Sequence, residues 1–239
     1  MGAFETINYT KADGVGRISL NRPRVLNAYN MEMRDDLYQV LEAVRDDPEV
    51  RVAVLQGEGR AFCAGADLTE FGTAPSLAVA RQVRWERDVW GAFLSVSKPI
   101  IASVHGYCLG SGVEMALLCD LRIASSDAVF GLPEVSLGMI PAAGGTQTLP
   151  RTLGVPRALE LLLTRRRIDA AEALEMGMVT RVVEPEHLEA EVKATAFRLA
   201  QLDPRAVEAT KQAVWQGLDL PVGRALELEA RLALRGSSG

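Results

Sequence analysis

Tyr107-Cys108-Leu109-Gly110-Ser111-Gly112-Val113-Glu114, followed further on by Phe130-Gly131-Leu132-Pro133-Glu134, sets two carboxylates beside glycine-bearing turns. Two positioned carboxyl groups are what paired general acid and base chemistry needs. The small residues Gly110 to Gly112 precede an apolar run, Val113 to Leu118. Their backbone N–H groups are therefore expected to open a helix and point at an acceptor. Glu114 falls in the first turn of that helix, where the helix dipole favours a charged carboxylate by roughly 0.3–1 kcal/mol when exposed. It is the candidate base. Glu134 follows a proline in a loop among Leu132, Val135 and Leu137. Apolar surroundings raise a carboxyl pKa towards neutrality, so Glu134 is the candidate to carry a proton to or from carbon.

Outward from this segment the pattern alternates between strands and helices. Val15-Gly16-Arg17-Ile18-Ser19-Leu20 reads as a short strand ended by Asn21-Arg22-Pro23, and Met33, Leu37, Val40, Leu41 and Val44 recur at helical spacing up to Asp47-Pro48. Val50 to Leu55, Pro99 to Val104 and Asp120 to Ala124 have the β-branched character of strands buried in a parallel sheet. Such alternation implies right-handed βαβ crossovers, with ligands at the carboxyl ends of the strands. From Val155 the chain turns helical. A helix over Pro156 to Leu163, a second capped by Asp169 and stopped by Gly177, a short strand Met178 to Val183, and three proline-initiated helices at 185–202, 204–217 and 221–235 are expected. The chain divides into a core at 1–184, a C-terminal helical region at 185–235 and a linker or tag remnant at 236–239.

The composition excludes several functions. A chain of 239 residues with 48% hydrophobic content can bury a large core, and its net charge of −5 leaves no electrostatic footprint for nucleic acid. Cys63, Cys108 and Cys119 lie in apolar or small-residue surroundings and read as buried free thiols of a reducing compartment. His105 and His187 are the only histidines, too few for a histidine-based metal site. Met1 to Glu5 lack a basic region and an apolar run, no stretch approaches a membrane span, and the cytoplasm is the expected location.

A further turn, Arg60-Ala61-Phe62-Cys63-Ala64-Gly65-Ala66-Asp67-Leu68, lets backbone approach a ligand closely. Taken with Gly110-Ser111-Gly112 and the two glutamates, it makes the chain resemble the crotonase, or enoyl-CoA hydratase/isomerase, family. The ordered matches span nearly the whole chain: Asn21-Arg22-Pro23 with Leu26-Asn27-Ala28, Ala64-Gly65-Ala66-Asp67, Lys98-Pro99, Gly106-Tyr107, Cys119-Asp120, and Ile140-Pro141-Ala142-Ala143-Gly144-Gly145-Thr146-Gln147.

The resemblance implies an α/β fold of the ClpP/crotonase-like kind, a spiral of ββα units followed by a C-terminal helical trimerisation region. It implies that the N–H groups of Ala66 and Ser111 form an oxyanion hole for the thioester oxygen of an acyl-CoA, and that Glu114 and Glu134 are the catalytic pair of a hydratase. Arg24, Leu26, Ala64, Asp67, Leu68 and Gly110 would line the CoA and substrate site. No cofactor is implied, since coenzyme A is part of the substrate, and the assembly would be a trimer or a dimer of trimers. Arg24 reads equally as a phosphate contact or a solvated loop residue, and Arg165-Arg166-Arg167 as a phosphate patch or an exposed helix end. Ser111 and Ala142 stand where the family commonly has glycine, which adds bulk near the acyl pocket without removing a donor. His105 replaces a common asparagine and is expected to hold a structural hydrogen bond. Isomerase or dehydratase chemistry on a branched or cyclic acyl-CoA is the second enzymatic reading. RNA binding, known in some relatives through a lysine-rich early helix, is opposed here by Glu32, Asp35, Asp36, Glu42, Asp46 and Asp47.

Overall fold

The computed structural model of the protein describes residues 4–70, 73, 76 and 86–236. Met1 to Ala3 and Ser237 to Gly239 of the expected linker lie outside the described residues, while Gly236 ends the last helix. Among the described residues, ten strands form two sheets. The larger has the order β1 (Ile7–Ala12), β2 (Val15–Leu20), β3 (Val52–Gly57), β5 (Ile100–Val104), β7 (Leu121–Ser125), β10 (Arg181–Val183). Only its β1–β2 pair is antiparallel. The smaller sheet has the order β4 (Ala61–Cys63), β6 (Tyr107–Leu109), β8 (Val129–Gly131), β9 (Ile168–Asp169).

From β3 to β8 consecutive strands alternate between the sheets. β3 is followed by β4, β5 by β6, and β7 by β8, each pair leading towards helical structure. This is the ββα spiral that the resemblance implies. It corrects the simpler expectation of βαβ crossovers within one sheet, which left out the short strands of the smaller sheet. At one switch between sheets, Gly106 has φ +54°, and a Cβ there would lie 2.2 Å from the Arg60 carbonyl oxygen, so the turn accepts only glycine. The structure also adds β1. Its sequence signal is Asp13-Gly14, both with positive φ (52° and 77°), as a two-residue hairpin turn requires.

The helices in chain order are α1 (Met31–Asp46), α2 (Val89–Ser95), α3 (Ser111–Leu118), α4 (Gly145–Leu153), α5 (Val155–Thr164), α6 (Ala170–Glu175), α7 (Leu188–Ala200), α8 (Pro204–Gly217) and α9 (Val222–Gly236). Asn30 caps α1 by accepting the Met33 N–H, and Met33, Leu37, Val40, Leu41 and Val44 form its buried face as the spacing predicts. Lys98, almost fully buried, donates from Nζ to the carbonyls of Val44 and Asp47 at the far end of α1. Asp169 caps α6 through the Glu172 N–H, as expected.

Two apolar layers result. Ala53, Leu55, Ile100 and Ala102 face the main core with α1, α2 and α3, whereas Val52, Val54, Ile101 and Ile123 face Leu188, Val192, Ala196 and Ala200 of α7. Side chains alternate along a strand, so both sheet faces must be covered, and the near-continuous apolar run of β3 follows from that. The C-terminal region thus has two parts: α7 is a layer of the core, while α8 and α9 pack mainly on each other. α8 is tied back through Asp120, whose carboxylate accepts from the Ile100 N–H (2.7 Å), Trp215 Nε1 (2.9 Å) and Lys211 Nζ (2.8 Å).

Asp120→Ala removes the acceptor of all three donors. It is expected to cost about 1–3 kcal/mol and to raise amide exchange across 204–236 while β3 and β5 stay protected. Uniform loss of protection would show that the α8–α9 hairpin is not a separate unit of stability.

Candidate active site

Gly110 makes the turn that everything at the site touches. Its φ of +49° and ψ of −120° suit glycine, its N–H donates to the Gly131 carbonyl (2.9 Å), and Ser111 follows as the first residue of α3. All eight residues of α3 are buried, including Glu114 at 2% exposure. A carboxylate so buried requires donors. Glu114 Oε1 accepts from the N–H groups of Ala143 (2.8 Å) and Gly145 (2.9 Å). These amides belong to the start of α4, whose N-cap Gly144 has φ +103°, so a second helix N-terminus points at the carboxylate besides that of α3. A Cβ at Gly145 would sit 3.0 Å from Glu114 Oε1 and 2.8 Å from the Pro141 side chain, which explains the glycine. α4 is missing from the expected elements because Pro150 interrupts its pattern, yet the helix runs through it.

Glu134 opens a single 3-10 turn, Glu134–Leu137, which Gly138 closes in a left-handed conformation. Its Oε1 lies 2.6 Å from where a Gly110 Cβ would be, so the carboxyl rests against the turn that opens the helix of Glu114. Its Oε2 is buried with no hydrogen-bond partner among the described residues. Burial is the larger influence on this group and pushes its pKa above the ordinary glutamate value; a backbone hydrogen bond opposes the shift. The two acids thus have opposite environments: one carboxylate is held by two N–H donors, the other is desolvated.

The second glycine turn meets the first. Gly65, at φ +105°, would place a Cβ 3.3 Å from the Leu109 carbonyl oxygen, and a Gly110 Cβ would lie 3.4 Å from Gly65 Cα. Ala66 forms an isolated parallel bridge with Tyr29, in which Tyr29 N–H donates to Gly65 O and Asp67 N–H to Tyr29 O (both 2.8 Å). In a parallel bridge the middle residue directs its own N–H away from the partner strand. Among the described residues, neither the Ala66 nor the Ser111 N–H donates to another protein group.

Of the residues expected to line the CoA site, the structure brings Leu26, Ala64 and Asp67 together. The Ala64 N–H donates to Leu26 O (3.0 Å), and Leu26 is left-handed at φ 53°. Arg24 and Leu68 lie on exposed turns at the edge of this group. The Asp67 carboxylate is occupied within the protein, by Arg22 (2.9 Å) and the Thr69 hydroxyl (2.7 Å), which leaves its backbone for any ligand. Asn27, fully buried, spends its side chain on the Arg22 N–H and the carbonyls of Glu58 and Ala61. Arg22, Asn27 and the Ala143 and Gly145 amides were not singled out from the sequence as supports of the site. For Asn27 the available signal is an asparagine inside a turn with left-handed residues.

The three arginines after α5 do not share one patch. Arg165 closes α5 in a left-handed conformation, Arg166 pairs with Glu172 (2.6 Å) and Glu160 (3.2 Å), and Arg167 lies over the Tyr107 ring. His105 Nε2 bonds the Gly59 carbonyl (3.0 Å), the structural role expected of it. All three cysteines are free and buried, with the thiols of Cys63 and Cys119 pushed up to about 12 by burial. Among the described residues no cluster of metal-ligating side chains occurs, and no helix is long and apolar enough to cross a membrane.

A family model described as enoyl-CoA hydratase/isomerase matches residues 10–236. The chain belongs to this family. Among its relatives, the crotonyl-CoA hydratase of Syntrophomonas wolfei is 38% identical over 95% of this chain and 88% of its own. The (E)-benzylidenesuccinyl-CoA hydratase of Thauera aromatica is 41% identical over 87% of this chain and 81% of its own. The crystal structure of an enoyl-CoA hydratase from Bacillus anthracis superposes with a TM-score of 0.91 at 37% identity, covering 98% of this chain and 91% of that one. The crotonase fold, with its two sheets and C-terminal helices, is thereby shown.

Gly110→Ala tests the geometry of this family site directly. A methyl group 2.6 Å from Glu134 Oε1 on a backbone at φ +49° must displace the carboxyl or the turn. The expected outcome is a loss of about 1–3 kcal/mol in thermal or denaturant unfolding. Gly138→Ala, at φ +70° with open space around it, should cost less.

Proposed function

We propose that the protein adds water across the 2,3 double bond of a 2-enoyl-CoA thioester to give the 3-hydroxyacyl-CoA. Family membership and the hydratase names of several relatives support this. The observation that carries the assignment of roles is the contrast between the acids: Glu114 held by two backbone donors, Glu134 desolvated with a buried oxygen left over. Hydration needs that asymmetry, one carboxylate to accept a proton and one carboxyl to give one.

In the proposed reaction the thioester oxygen accepts from the Ala66 and Ser111 N–H groups. Glu114 takes a proton from water as the oxygen adds to the β-carbon, and the electron pair of the double bond moves onto the α-carbon and thioester as an enolate. The two N–H groups stabilise that enolate; one such donor is typically worth on the order of 10²–10³ in rate. Glu134 then delivers its proton to the α-carbon, and a proton returns from Glu114 to Glu134 to complete the cycle. The step balances with water and thioester alone, so no cofactor enters it. The CoA portion would lie along Arg24, Leu26, Ala64, Asp67 and Leu68, with Gly110 beside the acyl group and Asp67 contributing backbone only. A cytoplasmic location fits the buried free thiols.

The assembly proposed is a trimer or a dimer of trimers. Val214 on α8, Leu218 just past its end, and Leu226 and Leu234 on α9 are 57%, 66%, 59% and 71% exposed, apolar surface of the kind a partner covers. Light scattering should give three or six chains; a monomer would overturn this part.

Loss of the enoyl-thioester ultraviolet absorbance on adding the protein to crotonyl-CoA tests the activity. Glu114→Gln and Glu134→Gln should each lower kcat by about 10²–10⁴. Glu134 must be protonated to act and its pKa is raised, so the hydration rate falls as pH rises through that raised value, and Glu134→Gln removes this alkaline limb. Full activity in either variant would sink the paired-acid mechanism.

A further inference from the structure

The oxyanion donors of the proposed reaction differ in how they are held. Ser111 N–H is fixed by helix α3 in the middle of the core. Ala66 lies in no strand or helix and is held in an isolated bridge to Tyr29, two residues after the Ala64 N–H that donates to Leu26 O. One ion pair spans both sides of that bridge. Arg22 Nη1 donates to the carbonyl of Ala28, the residue before Tyr29, and pairs at 2.9 Å with Oδ2 of Asp67, the residue after Ala66. Both side chains are largely shielded, at 22% and 13% exposure, so the pair is screened less than a surface one. The other Asp67 oxygen accepts from the Thr69 N–H and hydroxyl, which fixes the carboxylate on its far side, and Asn27 Oδ1 holds the Arg22 N–H.

We propose that Arg22 and Asp67 are positioning residues for the oxyanion hole: their ion pair clamps the Tyr29–Ala66 bridge and so aims the Ala66 N–H into the cleft. The inference rests on the reading of Ala66 as an oxyanion donor. It gives Asp67 a task that contact with CoA does not explain, and it assigns one to Arg22, which the sequence motif alone left without a role. A donor must meet the oxygen as charge develops, so a small drift of Ala66 should weaken transition-state binding more than ground-state binding.

The test compares Arg22→Ala and Asp67→Ala with the intact protein in three measurements: kcat on crotonyl-CoA, the Kd of saturated butyryl-CoA, and the ultraviolet band of the enolate formed by bound acetoacetyl-CoA. Each variant is expected to lose about 10–100-fold in kcat while the butyryl-CoA Kd changes by less than about threefold, and to weaken the enolate band. The double variant should be no worse than the poorer single one, as members of one unit behave. Asp67→Asn keeps the shape and the Thr69 contacts and guards against a fold defect; it should lose roughly tenfold in kcat.

A weaker butyryl-CoA Kd with kcat unchanged would make the pair a ligand contact and overturn the proposal. So would folded variants with wild-type kcat and enolate band. Wild-type protein that forms the band yet hydrates nothing would fail the hydratase reading alone, with the band still reporting on the clamp. Wild-type protein that binds acetoacetyl-CoA without the band would fail the oxyanion reading and the proposal with it.

Discussion

A carboxylate at 2% exposure cannot remain in a folded protein unless the protein solvates it, and the site is organised around meeting that demand for Glu114. Two amides at the start of α4 meet it, which fixes where α4 begins and requires glycine at 145, where a Cβ would press on both Glu114 and Pro141. α3 and α4 therefore meet at this carboxylate, one carrying it and the other donating to it. Removing either partner would leave a buried charge or a pair of orphaned donors, so the contact between the helices and the buried carboxylate depend on each other.

The second constraint is close backbone approach. Gly65 and Gly110 come within contact of each other, Gly112 lies against the Cys63 carbonyl, and Gly106 against that of Arg60. Side chains at these points would wedge apart the two-sheet spiral where β4 and β6 pair. The same closeness sets the turn before Ala66 against the turn before Ser111, so the packing of the smaller sheet and the approach of these two turns have one physical origin. Glu134 exploits it from the other side: the missing Gly110 side chain leaves the room in which its carboxyl rests.

Away from the site, stability is divided between layers. α7 seals the outer face of the large sheet with Leu188, Val192, Ala196 and Ala200, each such aliphatic burial contributing about 1.5–3 kcal/mol for the larger side chains. Trp215 and Lys211 anchor the α8–α9 hairpin to Asp120, while Val214, Leu226 and Leu234 of the hairpin remain in solvent. Asp120 directly follows Cys119 at the end of α3, so the anchor of the hairpin and the helix of Glu114 share a boundary.

Much was legible in the sequence because local rules govern it. The 3.6-residue spacing of Met33, Leu37, Val40 and Val44, the β-branched runs of β3 and β5, the Asp169 cap, and the placement of Glu114 in a first turn and Glu134 in an apolar loop all follow from periodicity, capping and turn chemistry. The short strands of the smaller sheet and α4 did not, since so short a strand has no period to read and Pro150 breaks the helical one. Only the tertiary structure decided which groups answer which. The amides that hold Glu114 lie 29 and 31 residues beyond it, and Arg22 meets Asp67 because two loops are laced together by Asn27, Leu26 and Tyr29. A hydrogen-bond partner is selected by which loops the sheets bring side by side, and no pattern of neighbours along the chain encodes that choice.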